Sequence, residues 1–450
     1  MFATRAGAAA LSLLMTCTGV QAAETGPAAA RAGLDALVTR LAGDGSAKDP
    51  QRATLVRVHD AGKHFVYATA AGEARADAKG PMTPDRPFYI ASITKPMVAT
   101  RILQLVEAGK LSLDTTLAQT GILPSDALAQ LQVFEGYAYG PEITIRQLLQ
   151  HRSGLRDMLL DDRDHIGDEM AEGVAPGSLG GIRTSQLERY LTCKGQPGTC
   201  SAEEMAKLYP GHRWKGWDGA AWQRNPKDRD AGLINFLLAE MGNSGLFVPG
   251  TQYHYADTNY ILLGILIEKI SGRSLHAELR DHVFHPLGMK NTWLSYAPDA
   301  DAKPRKLAPA DFWVGPLPIV SQHLDVSFDW AGGGVVTTAD DLDRFLRGVA
   351  TGKVFRKNAT RDEMLRGVPT PNRHGFSGGY GLGIRSMETD YGPMWGHMGA
   401  WGSVMLYFPK YDVSITGTVS RLFDNDRMKS LVFDSMAVLK STGMLKDVTR

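Results

Sequence analysis

The sequence predicts a mixed α/β fold: an antiparallel sheet built from both ends of the chain, flanked by helices, with a mainly helical lobe inserted between the two halves. Three observations predict it. Near the N-terminus two β-rich runs, residues 54–59 and 64–69, are joined by Asp60-Ala61-Gly62-Lys63 and read as a hairpin. Near the other end, residues 403–408 and 413–419 flank Pro409-Lys410-Tyr411-Asp412 and read as a second one. Between them, apolar residues fall three and four apart, the helical spacing, in residues 96–107, 145–150, 259–270 and 339–349. Two further helices are expected at the ends, over residues 28–41 and 426–440.

Composition narrows the function classes. The 450 residues carry 49 Lys and Arg against 48 Asp and Glu, a net charge of +1, with no block of like charge. A nucleic-acid partner or a charge-steered membrane partner is therefore not expected. A hydrophobic content of 43% and a charged content of 22% supply a sizeable core. The 49 glycines imply many tight turns.

The N-terminus reads as an address. Arg5 precedes an apolar run over residues 6–20, too short for the roughly 20 residues of a membrane helix, and Val20-Gln21-Ala22 supplies small residues for cleavage. Residues 1–22 are thus expected to be a signal peptide cleaved near Ala22, and the mature protein to be periplasmic or secreted with no membrane span. Lipoprotein processing at Cys17 is the weaker alternative, because Leu14-Met15-Thr16 lacks a small residue before the cysteine. Export makes a disulfide between Cys193 and Cys200 the favoured reading, since the spacer Lys194-Gly195-Gln196-Pro197-Gly198-Thr199 can turn. No further ligand stands at zinc-like spacing, so no metal is expected.

Residues 23–450 are read as one two-lobed unit. Its α/β lobe covers residues about 23–100 and 305–450, and its helical lobe covers residues about 101–304. The helical lobe includes an insertion over residues 156–247, which holds Trp214, Trp217 and Trp222. These tryptophans either pack the insertion's own core or line a lid over a substrate cleft.

The sharpest chemical signal is Ser92-Ile93-Thr94-Lys95-Pro96. Three residues along a helix is nearly one turn, so Lys95 shares a face with Ser92, which is expected to cap the helix. A serine hydroxyl needs a base to become a nucleophile, and a lysine can supply one. Gly375-Phe376-Ser377-Gly378-Gly379 also matches a nucleophile elbow, but that motif needs a strand before the serine and a helix after it, and neither flank fits.

With its neighbours, the serine–lysine pair resembles the serine beta-lactamase and penicillin-binding-protein-like hydrolases, in the branch of class C beta-lactamases, D-aminopeptidases, D-Ala-D-Ala carboxypeptidases and related esterases. The landmarks run in the family's order. After Ser92 and Lys95 come Glu107-Ala108-Gly109-Lys110-Leu111-Ser112-Leu113-Asp114, the stretch leading into His151-Arg152-Ser153-Gly154-Leu155, Tyr255-Ala256-Asp257-Thr258-Asn259-Tyr260 and His285-Pro286-Leu287-Gly288-Met289. Ala331-Gly332-Gly333-Gly334, Tyr380-Gly381-Leu382-Gly383 and Gly396-His397-Met398-Gly399 complete the series.

The resemblance implies a beta-lactamase/transpeptidase-like fold and an acyl-enzyme on Ser92, with Lys95 and Tyr255 as the acid/base pair and either of them as the base. It implies an oxyanion hole from the N–H groups of Ser92 and Ala400, and substrate contacts from Asp257, His397 and Gly399. No cofactor is implied, and the partner is a small-molecule or peptide substrate. Two positions depart from the beta-lactamase pattern: Asp257 stands in place of Asn and His397 in place of Lys. An ionised Asp257 cannot donate a hydrogen bond and could pair with Lys95 or with a cationic substrate. His397 removes a fixed charge that would grip a substrate carboxylate, though it could orient substrate or become charged at mildly acid pH. The expected activity is therefore that of an esterase or a D-aminopeptidase/amidase, ahead of a beta-lactamase or a D-Ala-D-Ala carboxypeptidase. A non-catalytic binding protein on the same fold is the alternative from another class; it would require loss of Ser92, Lys95 or Tyr255, and all three are present.

Overall fold

The two terminal hairpins meet edge to edge. This is seen in a computed structural model that describes residues 25–161, 216–228, 231–240, 243–295, 307–322, 326, 329–371 and 378–448, with short backbone pieces at 192–193 and 196–197. The first hairpin forms strands β1 (Thr54–Asp60) and β2 (Phe65–Ala71). The later strands are β3 (Val368–Pro369), β4 (Gly378–Tyr380), β5 (Arg385–Thr389), β6 (Gly392–Gly399), β7 (Ser403–Phe408) and β8 (Val413–Thr418). Together they make one antiparallel sheet of eight strands in the order β3-β4-β5-β6-β7-β8-β1-β2. The seam between the chain's two ends is β1 against β8, with Leu55 opposite Thr418 and Val58 opposite Ile415.

Strand alternation divides the core in two. Val56, Val58, Val404, Leu406, Phe408, Val413 and Ile415 face α1 (Pro27–Ala42) and α6 (Asn425–Ser441), which supply Leu34, Leu37, Val38, Leu431, Val432 and Met436. Each such buried side chain contributes roughly 1.5–3 kcal/mol. The opposite face carries Leu55, Met405 and Tyr407 toward the larger core. Ser414 and Thr416 also point that way and bond to α5 (Ala339–Ala350), at Asp343 Oδ1 (2.5 Å) and Ala339 O (2.9 Å).

Three helices position the site: α2 (Thr94–Glu107), α3 (Ile145–Leu149) and α4 (Asp257–Ser271). From Asp257 through Ile267 every residue of α4 is buried, so it runs through the middle of the helical lobe against α2 and α3. Trp217 and Trp222 pack 5.6 Å apart within the main core, and Trp222 Nε1 donates to Asp126 at 3.0 Å. These two tryptophans therefore join the lobe's core and not a separate one. Most of the insertion, including Trp214 and Cys200, lies outside the described residues, as do the N-terminal segment and Ser377. The Cys193–Cys200 pairing falls there too, since only the backbone of Cys193 is described. Directly after residue 377 comes strand β4, not the helix a nucleophile elbow needs. Among the described residues, no helix is long and apolar enough to cross a membrane.

Candidate active site

Ser92 does not cap α2. It lies in a single 3₁₀ turn, Ala91–Ile93, and the helix starts two residues later at Thr94. Pro96 sits in the first helical turn, where amides have no intrahelical partner to lose. Ala91 holds φ at +44°, a left-handed conformation that costs a non-glycine residue about 1–2 kcal/mol and turns the chain just before the serine. The predicted pairing nevertheless forms: Lys95 Nζ lies 3.0 Å from Ser92 Oγ.

Lys95 is fully buried, and three acceptors surround its nitrogen: Ser92 Oγ, the carbonyl of Gly332 at 2.9 Å, and the carboxylate of Asp257. Asp257 begins α4 and is also buried, with its own N–H donated to Asp157 Oδ1 at 3.2 Å. Asp257 pairs with Lys95, one of the two partners the sequence allowed it. Gly332 makes the approach possible, because a Cβ there would stand 2.4 Å from Asp257 Oδ1, and one on Gly333 would stand 1.9 Å from Asp329 Oδ2.

Two more buried carboxyls adjoin this ion pair. Burial, then the charge of Asp257, pushes the Asp329 carboxyl up to about 8. Burial and the same charge hold Asp157 well above the carboxylate range. Both shifts favour the protonated acid beside the Lys95–Asp257 ion pair. The sign of the linkage follows for Asp329. Its folded value exceeds its reference of 3.8, so the folded state holds the extra proton, and stability falls as pH rises from about 4 to about 8. Asp329→Asn is expected to flatten that slope and to be more stable than the parent at pH 8, as measured by chemical denaturation at pH 5 and pH 8.

Tyr255 lies two residues before the start of α4 and is buried. Lys95 Nζ lies 4.9 Å from its ring centroid, and the guanidinium of Arg385 lies 5.0 Å away. His151 stacks on the ring at 4.1 Å. Ser92, Lys95, Tyr255 and Asp257 thus converge from the 3₁₀ turn, α2 and the start of α4.

The other predicted residues sit on strand β6 and just past it. Gly399 packs so closely on the serine turn that a Cβ would lie 2.1 Å from Ile90 O. Ser403 Oγ donates to the same carbonyl at 2.8 Å. Ala400 follows directly, so its backbone adjoins the segment that holds Ser92.

His397 differs from expectation. It is buried and both of its nitrogens are engaged. Nδ1 donates to Met398 O at 2.7 Å, so Nε2 accepts from the Tyr380 hydroxyl at 3.1 Å. Burial, then Arg385 and Lys95, push its pKa well below the usual histidine range, which opposes a charge at mildly acid pH. The cation of this region is Arg385. It lies opposite Tyr380 and Gly396 in the ladder, and its guanidinium is 5.3 Å from the Tyr380 ring. Sequence reasoning gave no role to Arg385, Tyr380, His151, Asp157 or Asp329. The landmarks that begin at His151 and Tyr380 were the available signals for those two residues.

The sequence matches the beta-lactamase family over residues 48–200 and 207–433, nearly all of the chain beyond its N-terminal segment. The chain belongs to the beta-lactamase family. Its fold is of the serine-hydrolase type, and its curated relatives include an esterase and a peptidase. Esterase EstB of Burkholderia gladioli is 25% identical over 343 residues, covering 72% of this chain and 73% of the relative. The mitochondrial serine beta-lactamase-like protein LACTB of Mus musculus is 24% identical over 321 residues, covering 68% of this chain and 56% of the relative. D-aminopeptidase of Brucella anthropi is 32% identical over 162 residues, covering 34% of this chain and 28% of the relative. The chain spans about half the length of the LACTB proteins it matches, 56% in mouse and 50% in human. Among solved structures, the D-amino acid amidase of Ochrobactrum anthropi SV3 superposes with a TM-score of 0.59 at 20% identity, covering 92% of this chain and 98% of the other. A D-stereospecific amidohydrolase from Streptomyces sp. gives 0.58 at 21% identity, covering 90% and 98%. These likenesses bear out the expected fold.

Proposed function

We propose that this protein is an exported serine hydrolase that cleaves an ester or amide bond through an acyl-enzyme on Ser92, with esterase or D-aminopeptidase/amidase specificity. The observation that carries the reading is the buried Lys95, held between Ser92 Oγ and the Asp257 carboxylate. An ion pair with Asp257 favours the ammonium, which has three N–H bonds for three acceptors and no lone pair for a proton. Tyr255, whose ring lies beside both Lys95 Nζ and the Arg385 guanidinium, is then the proton acceptor. Ser92 Oγ attacks the carbonyl carbon while its proton passes to Tyr255. The N–H groups of Ser92 and Ala400 hold the oxyanion. As the scissile C–O or C–N bond breaks, Tyr255 returns the proton to the leaving alcohol or amine. Tyr255 then takes a proton from water as the water oxygen attacks the acyl carbon; the bond from that carbon to Ser92 Oγ breaks and Tyr255 returns the proton to Ser92 Oγ, releasing the acid.

The esterase and D-aminopeptidase relatives support the substrate class, as does the loss of a charged residue at position 397. Arg385 supports a second reading, that of a beta-lactamase or D-Ala-D-Ala carboxypeptidase, because it brings a fixed cation to the site from the neighbouring strand. A screen of p-nitrophenyl esters, D- and L-aminoacyl nitroanilides and nitrocefin separates the two. Turnover of esters or D-aminoacyl amides that Ser92→Ala abolishes is expected. Nitrocefin turnover that exceeds both and falls in Arg385→Gln would favour the second reading.

A further inference from the structure

His151 is a wholly buried titratable group beside Tyr255 that the reaction above does not use. It follows α3 with φ at +54°, a left-handed conformation uncommon outside glycine and asparagine. Backbone bonds pin it there, its N–H to Leu148 O at 3.2 Å and its carbonyl from His254 N–H at 3.0 Å. The ring is wholly buried and surrounded by tyrosines. It stacks on Tyr255 with an interplanar angle of 29°, meets Tyr380 edge-on at 4.7 Å, and lies 5.3 Å from Tyr260 and 6.1 Å from Tyr253.

The hydrogen bonds fix its tautomer. The N–H of Ala256, which can only donate, reaches Nδ1 at 3.1 Å. Asn259 Oδ1 accepts from Ser153 Oγ at 2.6 Å, which turns its Nδ2 toward the same Nδ1 at 3.0 Å. Nδ1 is thus an acceptor twice over, and the ring proton is on Nε2. That nitrogen is buried and makes no hydrogen bond among the described residues. The charged and titratable groups around the ring are Lys95, Arg385, His397 and His254, and with burial they oppose a positive charge on it.

We propose that His151 is a positioning residue for Tyr255: its face fixes the phenol ring, and its Nδ1 fixes the amide of Ala256, the next residue along. The ring and the main chain of Tyr255 are then set by one neutral side chain. With its proton on Nε2 and the single Nδ1 lone pair shared by two donors, His151 takes no part in proton transfer. This inference rests on Tyr255 acting as proton acceptor for Ser92.

Two substitutions separate the two contacts. His151→Phe keeps a ring to stack and loses the acceptor. His151→Asn keeps an acceptor near Nδ1, loses the stack, and suits the left-handed backbone. In variants whose unfolding transitions remain cooperative, both are expected to lower kcat and the rate of fluorophosphonate labelling at Ser92 by about ten- to a hundredfold, with KM little changed. In a Tyr255→Phe background neither should cause a further loss, because His151 acts through Tyr255. A folded variant with the parent's kcat, or a loss that multiplies with that of Tyr255→Phe, would overturn the proposal. The wild-type protein gives an independent measurement. Its His151 ¹⁵N shifts should show a protonated Nε2 and a bare Nδ1, unchanged from pH 5 to pH 8. The opposite tautomer, or a titration in that range, would refute the assignment even if no variant folds. If Ser92→Ala keeps full activity, it is the acyl-enzyme reading that fails.

Discussion

Ser92→Ala is expected to lower turnover of every substrate by about a thousandfold to a millionfold, while the protein unfolds at nearly the parental temperature. The two halves of this expectation come from the same geometry. Ser92 Oγ is the reacting atom, and its removal leaves only binding and the oxyanion N–H groups to assist a water molecule. Lys95 loses one of three acceptors but keeps Asp257 and the Gly332 carbonyl, so its buried charge stays compensated. Steady-state kinetics with the best ester or amide substrate, alongside a thermal melt, checks both. A loss of activity that merely follows a loss of folded protein would count against a catalytic role.

Lys95→Met has a different signature, because it removes a charge as well as a catalytic group. Activity should fall about a hundredfold or more, because the cation that holds Ser92 Oγ and lies beside the Tyr255 ring is gone. Stability should fall too, by about 3–5 kcal/mol, the usual cost of leaving one member of a buried ion pair alone. Here the abandoned partner, Asp257, is in worse surroundings than most, with Asp157 and Asp329 packed beside it and both already neutral acids. Adding Asp257→Asn to Lys95→Met should therefore restore much of the stability and none of the activity. Denaturant titration of the single and double variants measures this. Additive destabilisation would show that the pair does not compensate itself as described.

The fold was legible because it is patterned locally. Alternation marked both hairpins to within two residues, and helical spacing marked α1 through α6, since each element buries one face and exposes its period in the sequence. Ser92, Lys95 and Tyr255 were legible for a different reason, the order and spacing of motifs along the chain. Three features were not. The first is where the helix after Ser92 starts, which is decided by tertiary contacts such as Val335 N–H to Thr94 Oγ1 at 3.1 Å, not by capping propensity. The second is the carboxyl cluster. Asp257 was marked by its place in the Tyr255-Ala256-Asp257 motif, but Asp157 and Asp329 come from distant parts of the chain, and nothing local distinguishes them from surface aspartates. The third is His397, whose substitution for lysine read as the loss of a cation. No sequence pattern reveals that Tyr380 occupies its Nε2 or that Arg385 brings a guanidinium from the adjacent strand.

These residues also give the site a common logic. One lysine and one aspartate carry charge at its centre. Burial and the charge of Asp257 favour the protonated form of two carboxyls beside them, and burial with the cations of Lys95 and Arg385 disfavours a charge on two histidines. The field at Ser92 therefore comes from a few fixed groups, consistent with a chain whose net charge is +1.

The claim on which the rest depends is that Ser92 becomes acylated. Treating the full-length protein with a fluorophosphonate and mapping the adduct by peptide mass spectrometry tests it directly. The account predicts a single adduct on the peptide containing Ser92, absent from Ser92→Ala; an adduct on Ser377, or equal labelling of parent and variant, would contradict it.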